Sequence, residues 1–178
     1  MFGALGRNGV NVRAIAQGSS ERNISAVIAI TDVKKAINVL HEEFFETTYK
    51  QVNLFVAGVG NVGSRLLAQL NQQRKYLEKQ LHLQVRVVGI ANSKKMAFSE
   101  EGLDLLNWKQ SLEAAAPMSL QEYIDVIRSK NLRNTVFADV TANEKVAQSY
   151  DQLLSKSISI VACNKVACSS SYSYYKIQ

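Results

Sequence analysis

Behind the apolar run Val52–Ala57 the chain reads Gly58-Val59-Gly60-Asn61-Val62-Gly63, and leucines at helical spacing follow. Three glycines so placed between a buried strand and a helix leave few options. The first permits a tight turn, the second lets a ligand approach bare backbone, and the third lets the helix sit close on the strand. The start of the helix adds unpaired N–H groups and a positive dipole end, which suit a pyrophosphate. The competing reading is a flexible structural turn, and glycine spacing alone does not separate the two. With a strand before it and a helix after it, the stretch reads as a nucleotide site.

The pattern downstream predicts the fold. Val62, Leu66, Leu67, Leu70, Leu77 and Leu81 make one helical stripe, and Val85–Ala91 is a second near-continuous apolar run, as expected of a buried parallel strand. Ser119-Leu120-Gln121-Glu122 and Thr141-Ala142-Asn143-Glu144 have the form of capping boxes. The first opens a helix carrying Leu120, Tyr123, Ile124 and Ile127, and the second a helix through Leu154. Thr135–Asp139 and Ser157–Ala162 read as the third and fourth strands, and Ser169–Gln178 as the opening of a further helix. The stretch 93–118 is irregular, with a short helical piece expected at Leu103–Trp108. Strand alternating with helix predicts an α/β fold with an open parallel, Rossmann-type sheet. Four strands fall short of the six of a two-halved sheet, so the sheet is expected to be incomplete.

The first 48 residues are patterned differently. Met1–Asn8 reads as helix, with Gly9 behind it as a C-cap. Val10, Val12 and Ala14 alternate with Asn11, Arg13 and Ile15, and Ile24, Ala26, Ile28 and Ile30 share a face. Gln17–Asn23, rich in Gly and Ser, joins the two as a hairpin. A helix capped by Thr31 or Asp32 follows, with Val33, Ala36, Ile37, Leu40 and Phe44 at helical spacing. Two strands with helices leave an edge and part of a face uncovered. The segment is therefore expected to be the remainder of an α+β unit whose first strand lies outside this sequence. Two units result: 1–48 and 49–178.

Composition removes several function classes. The net charge of +6 invites a nucleic-acid reading, but Arg65, Arg74, Lys75, Lys79, Arg128, Lys130 and Arg133 are scattered over helix exteriors with no aromatic-and-basic platform. No run approaches a membrane span and no signal-peptide pattern opens the chain, so a cytoplasmic protein is expected. Cys163 and Cys168 lie five apart without partner ligands, so no metal site is expected, and both read as reduced and structural. His41 and His82 are isolated.

Ligands of open α/β sheets sit beyond the carboxyl ends of the strands, which selects Gly58–Gly63, Asn92–Lys95, Asp139–Asn143 and Asn164-Lys165. The second strand normally ends on an acidic residue for the ribose 2′-OH of NAD. Here it ends Ala91-Asn92-Ser93-Lys94-Lys95. Asn92 and Ser93 can hydrogen-bond a ribose, and Lys94 and Lys95 can attract a 2′-phosphate, so NADP as well as NAD is expected to bind. The alternative is a polar turn with two solvated lysines. Thr141 is either a plain helix cap or a cap that also faces the cofactor. Lys165 ends a strand in a part of the sheet edge expected to be dry, where an ammonium can polarise a carbonyl or hold a carboxamide; the alternative is a surface salt bridge. Asp139 reads as buried and hydrogen-bonded rather than catalytic.

Phe55–Gly63, Gly89-Ile90-Ala91-Asn92-Ser93 and Asn164-Lys165-Val166-Ala167 resemble homoserine dehydrogenase, and Ile15–Ser25 resembles the regulatory ACT segment of aspartokinase. The order of the two is that of the bifunctional aspartokinase–homoserine dehydrogenase family. The resemblance implies a partial, ferredoxin-like ACT unit followed by an NAD(P)-binding domain. It implies a parent that phosphorylates aspartate and reduces aspartate semialdehyde to homoserine, under control of an amino-acid effector, commonly threonine. By resemblance Gln17 lies in the effector-binding stretch, and Asn61, Val62, Thr141 and Lys165 match dinucleotide-contacting positions, Lys165 lying between nicotinamide and substrate. The cofactor set is then Gly58, Gly60, Asn61, Val62, Gly63, Asn92, Ser93, Lys94, Thr141 and Lys165, with Lys165 as the one catalytic candidate. The kinase domain, the first part of the ACT region and the domain holding the family's main catalytic residues are not in this sequence, so the segment by itself is expected to be inactive. Ala142-Asn143 departs from the small hydroxyl residues the family often has there. The open hairpin and sheet edges predict a homo-oligomer. The competing reading is an amino-acid-sensing ACT module with a passive Rossmann scaffold.

Overall fold

A computed structural model describes residues 1–18, 23–45 and 49–169. The Gly- and Ser-rich turn at 19–22 and the helix expected over Ser169–Gln178 lie, the latter from residue 170 on, outside the described residues. Among the described residues eight strands and seven α-helices follow in order, with a 3-10 turn at Ile30–Asp32 before α2: α1 (Phe2–Arg7), β1 (Val12–Gln17), β2 (Ile24–Ile28), α2 (Val33–Phe45), β3 (Lys50–Ala57), α3 (Asn61–Leu81), β4 (Leu83–Ala91), β5 (Lys95–Phe98), α4 (Trp108–Glu113), β6 (Ala116–Pro117), α5 (Leu120–Lys130), β7 (Thr135–Asp139), α6 (Glu144–Ala147), α7 (Tyr150–Leu154) and β8 (Ser159–Ala162).

The main sheet has the order β6-β5-β4-β3-β7-β8. The four strands β4, β3, β7 and β8 are parallel, the set expected from the sequence. Alternation along β3 sends Phe55 and Ala57 to one face and Leu54 and Val56 to the other. The first face is covered by Tyr123, Ile124 and Ile127 of α5 and by Val146, Tyr150 and Leu153 of α6 and α7. The second is covered by Leu67 of α3 and Leu112 of α4. Tyr123, fully buried, donates its hydroxyl to the Val56 carbonyl at 3.2 Å, and burial raises its pKa.

Several elements differ from expectation. Residues 93–118 are not a long loop: β5 pairs antiparallel with β4, and β6 pairs with β5. The Asn92 side chain closes the intervening turn by accepting the N–H groups of Lys94 and Lys95, both at 2.7 Å. Strands of four and two residues are too short to show a period, and Pro117 sits in the edge strand, where a missing N–H is tolerated. The helix expected at Leu103–Trp108 starts at Trp108 instead. Asp104 binds the Leu106 N–H at 2.9 Å and Asn107 Nδ2 at 2.7 Å, holding that stretch as a turn. Val62 and Leu81 are exposed rather than part of the α3 stripe. At about 1.5 Å per residue a 21-residue helix is longer than an eight-residue strand of about 3.3 Å per residue, and these two residues lie in its first and last turns. Ser119 caps α5 as expected, accepting the Glu122 N–H at 3.3 Å, whereas the expected helix through Leu154 is split into α6 and α7. The last strand starts at Ser159, after Ser157 takes φ +57°.

Among the described residues of the first 45, β1 and β2 pair antiparallel, as expected of the hairpin, and pack with α1 and α2. Ala4, Leu5, Val10, Ala36 and Val39 pack together, joined by Val12 and Ile28. Val33, Ile37 and Phe44, expected on the packed stripe of α2, face outward. The unit rests against the amino-terminal ends of the sheet strands. Asn131, before β7, donates to the Thr31 carbonyl and Asp32 at 3.3 and 3.1 Å, and Arg133 donates to the Asn38 carbonyl at 2.9 Å. Among the described residues no helix is long and apolar enough to cross a membrane.

Candidate functional site

The chain leaves β3 for β4 on one side and returns to β7 on the other. Such a reversal opens a crevice at the carboxyl ends of the strands, and ligands of open α/β sheets bind there. The glycine turn sits at its centre. Gly58 takes φ +93°, and a Cβ there would meet Thr141 Cγ2 at 2.8 Å and the Val140 carbonyl at 2.9 Å. At Gly63 a Cβ would land inside the Gly58 carbonyl, so only glycine lets α3 pack this close. A Cβ on Gly60 meets nothing within 4 Å. Space therefore lies open over bare backbone at that point.

Gly60 ends the turn as the N-cap of α3 with no side-chain cap bond. The first N–H groups of a helix have no intrahelical partner, so here they are offered to the crevice together with the dipole. Asn61 and Val62, in that first turn, are exposed, as is Arg65 one turn on. Along the flank of α3 a cavity of about 950 Å³ is lined by Val62, Arg65, Trp108, Val140, Val161 and Cys163, among others. Cys163 and Cys168 are both free and exposed.

Thr141 is brought against Gly58, but it does not cap a helix. Asn143 caps α6, accepting the Lys145 N–H at 2.9 Å. Thr141 instead donates its hydroxyl to Asp139 Oδ1 at 2.7 Å and accepts the Asn143 N–H at 3.1 Å. Asn92 spends its side-chain oxygen inside the β4–β5 turn. Ser93 and Lys94 are exposed at the tip, while Lys95 donates to the Ala115 carbonyl at 2.8 Å and is thereby occupied. Lys165 follows β8 and is exposed, whereas a dry part of the sheet edge was expected. The sheet edge beside it is open, with Val161 at 62% exposure. Gln17, at the end of β1 and exposed, belongs to the hairpin unit and is not part of this crevice.

Asp139 is fully buried, as expected, and is the only carboxylate in the four strand-end stretches. Its Oδ1 accepts the N–H of Thr141 at 2.8 Å as well as the hydroxyl. Its Oδ2 accepts Tyr150 Oη at 2.6 Å and Asn164 Nδ2 at 3.0 Å. Asn164, 5% exposed, also donates to the Asn143 carbonyl at 3.0 Å and accepts the Val166 N–H at 3.1 Å. Neither Asn164 nor Tyr150 has a role among the expectations drawn from the sequence. The one signal for Asn164 is a polar residue at a strand end directly before the lysine. With the carboxylate buried, the crevice presents glycine backbone, helix N–H groups, and the cations Lys94, Lys165 and Arg65, which suits a polyanionic ligand.

Comparison with known proteins agrees with this geometry. Residues 58–177 match the family model described as homoserine dehydrogenase, NAD binding domain, and residues 1–44 match the ACT domain model. A bifunctional aspartokinase/homoserine dehydrogenase of Haemophilus influenzae is 38% identical over 98% of the chain, which covers 21% of that protein. A chloroplastic relative of Arabidopsis thaliana with the same two activities in its name is 34% identical over 98% of the chain and 19% of its own length. The chain thus spans about a fifth of the length of these curated relatives. Among solved structures, a hyperthermophilic archaeal homoserine dehydrogenase in complex with NADPH superposes with a TM-score of 0.57 at 20% identity, over 72% of this chain and 40% of that one. The Thermoplasma acidophilum homoserine dehydrogenase gives 0.56 at 16% identity over the same shares; both support the fold. The chain belongs to the homoserine dehydrogenase family and carries its NAD-binding domain behind an ACT domain segment.

Proposed function

We propose that this chain supplies the NAD(P)-binding part of a homoserine dehydrogenase joined to an aspartate kinase, acting in the interconversion of aspartate semialdehyde and homoserine. The observation that carries it is the glycine turn: Gly63 locks α3 onto Gly58 while Gly60 leaves bare backbone open to the crevice. The first amides of α3 and Gly60 would take the pyrophosphate. Ser93 and Lys94 would hold the ribose and a 2′-phosphate, and Thr141 and Lys165 would flank the nicotinamide end. The bound nucleotide supplies or accepts the hydride; the chain binds and orients it. Lys165 would hold a carboxamide or polarise a carbonyl of the substrate, and its exposure here leaves room for that substrate.

The hairpin unit, with Gln17 at the end of β1, would sense an amino-acid effector, with threonine the first to test. Its uncovered apolar face favours a homo-oligomer, and the expected compartment is the cytoplasm. Calorimetric titration with NADP and NAD tests the reading. Lys94 at an acid-free ribose turn predicts that NADP binds at least as tightly as NAD. Much weaker NADP binding would sink that part, and binding of neither nucleotide would sink the whole. A thermal shift with threonine but with neither nucleotide would favour a sensing module on a passive scaffold.

A further inference from the structure

We infer that Asp139 is a positioning residue that clamps the two loops of the crevice that follow β7 and β8, and that it fixes the hydrogen-bonding sense of Thr141. This rests on the reading of the crevice as an NAD(P) site. All four groups around Asp139 are donors: the N–H and hydroxyl of Thr141, the hydroxyl of Tyr150 and the amide of Asn164, at 2.6 to 3.0 Å. A fully buried group met only by donors is an acceptor at both oxygens, which describes a carboxylate. Each oxygen serves a different partner set: Oδ1 holds the loop after β7 through Thr141, and Oδ2 holds the loop after β8 through Asn164.

Two consequences follow. The Thr141 proton is committed to Asp139, and one lone pair of its oxygen takes the Asn143 N–H. What remains can only accept, so Thr141 is set to receive a hydrogen bond from a donor of the ligand, such as an amide N–H. Asn164 spends both N–H groups, on Asp139 and on the Asn143 carbonyl, and its oxygen takes the Val166 N–H. The backbone on either side of Lys165 is thereby pinned, although the lysine itself is exposed. An asparagine in place of Asp139 has the same shape but one oxygen. If that oxygen serves Thr141, its amide nitrogen opposes the amide of Asn164; if it turns to Asn164, it opposes the Thr141 N–H. Either way one loop is released.

The test compares a whole dinucleotide with its adenosine end, using the 178-residue chain. NADPH binding is followed by fluorescence and adenosine 2′,5′-bisphosphate binding by calorimetry, in wild type, Asp139→Asn and Tyr150→Phe. The clamp acts at the ends of β7 and β8, away from the ribose turn after β4. Asp139→Asn is therefore expected to weaken NADPH about tenfold, the cost of one charge-assisted hydrogen bond, and to leave the bisphosphate unchanged. Tyr150→Phe removes a donor that belongs to neither loop; NADPH affinity should stay within about twofold even where the melting temperature drops. Equal weakening of both ligands by Asp139→Asn would make its role merely structural and overturn the inference, as would unchanged NADPH binding. If Asp139→Asn does not fold, Asn164→Ala cuts the clamp from the β8 side and must show the same selective loss. Wild type that binds neither ligand overturns the NAD(P) reading itself.

Discussion

The two parts of this chain treat apolar surface in opposite ways. In the sheet, Phe55, Val56 and Phe137 are fully buried, because β3 and β7 each have a parallel strand on either side and helices cover the sheet faces. In the hairpin unit Ile15, Val27, Ile30, Ile37, Phe44 and Phe45 are exposed, Ile30 to 89% and Phe45 to 72%. The patterning of the two parts is equally regular. What differs is the number of layers, since two short strands and two helices cannot cover both faces of a hairpin. Periodicity therefore specifies an element, and the neighbours decide whether its apolar face is buried. The polar anchors follow the same division. The crevice is organised by a buried carboxylate, and the contact between the two parts by hydrogen bonds at Asn131 and Arg133.

The contrast can be tested with paired substitutions. Phe137→Ala should cost about 3–5 kcal/mol in urea unfolding, as for other large core truncations, whereas Phe45→Ser should stay within about 0.5 kcal/mol. A cost above about 2 kcal/mol at Phe45 would mean that the hairpin unit's apolar face is covered in solution. The second pair separates architecture from binding inside the glycine turn. Gly63→Ala forces α3 off the Gly58 carbonyl and should cost about 2–3 kcal/mol. Gly60→Ala should leave the melting temperature nearly unchanged and weaken NADPH at least about tenfold, because its methyl group fills the space the ligand needs. Equal stability loss in the two would show that the turn is purely structural.

A smaller effect is expected where the two parts touch. Arg133→Ala removes the bond to the Asn38 carbonyl and should cost about 1 kcal/mol. Amide exchange in α2 should quicken while β3 stays protected; equal acceleration in both would mean the parts unfold as one. The smallest effect concerns Lys35, which is 6% exposed in α2. Burial lowers its pKa, Asp32 opposes the shift, and Lys156 adds to it. A folded value below the usual lysine value means that the unfolded chain binds more protons across that interval, so stability rises with pH there. Lys35→Met should lack this rise and be the more stable of the two near neutral pH. Urea midpoints of both proteins from about pH 8 to about pH 11 would show it as a shrinking difference, and parallel curves would refute it.

Much of the crevice was legible before the fold was known. The spacing of Gly58, Gly60 and Gly63 carried the turn, and the strand-end rule pointed to Asn92, Thr141 and Lys165. The errors share a cause. Thr141 looked like a helix cap because Ser/Thr-x-x-Glu is a local pattern, whereas its true partner, Asp139, is tied by its other oxygen to Asn164, 25 residues further along the chain. Lys165 was expected in a dry part of the sheet edge, but dryness depends on what covers that edge, and beside β8 it is open, with Val161 exposed. The strands β5 and β6 were missed because four and two residues carry no period, and a single side chain, Asn92, sets their turn.

The sequence by itself determined the elements with a repeating apolar face, the order in which they alternate, and the turn in which Gly58 and Gly63 leave no room for a side chain. These are local constraints of backbone sterics and spacing. The tertiary structure alone decided which cations are free, which carboxylate is spent, and which apolar faces stay bare. Those properties depend on partners distant in the chain: Ala115 for Lys95, Asn164 for Asp139, and a missing layer for the hairpin unit. Hydrogen-bond commitment and burial are relations between residues, and they come into being only when the chain has packed.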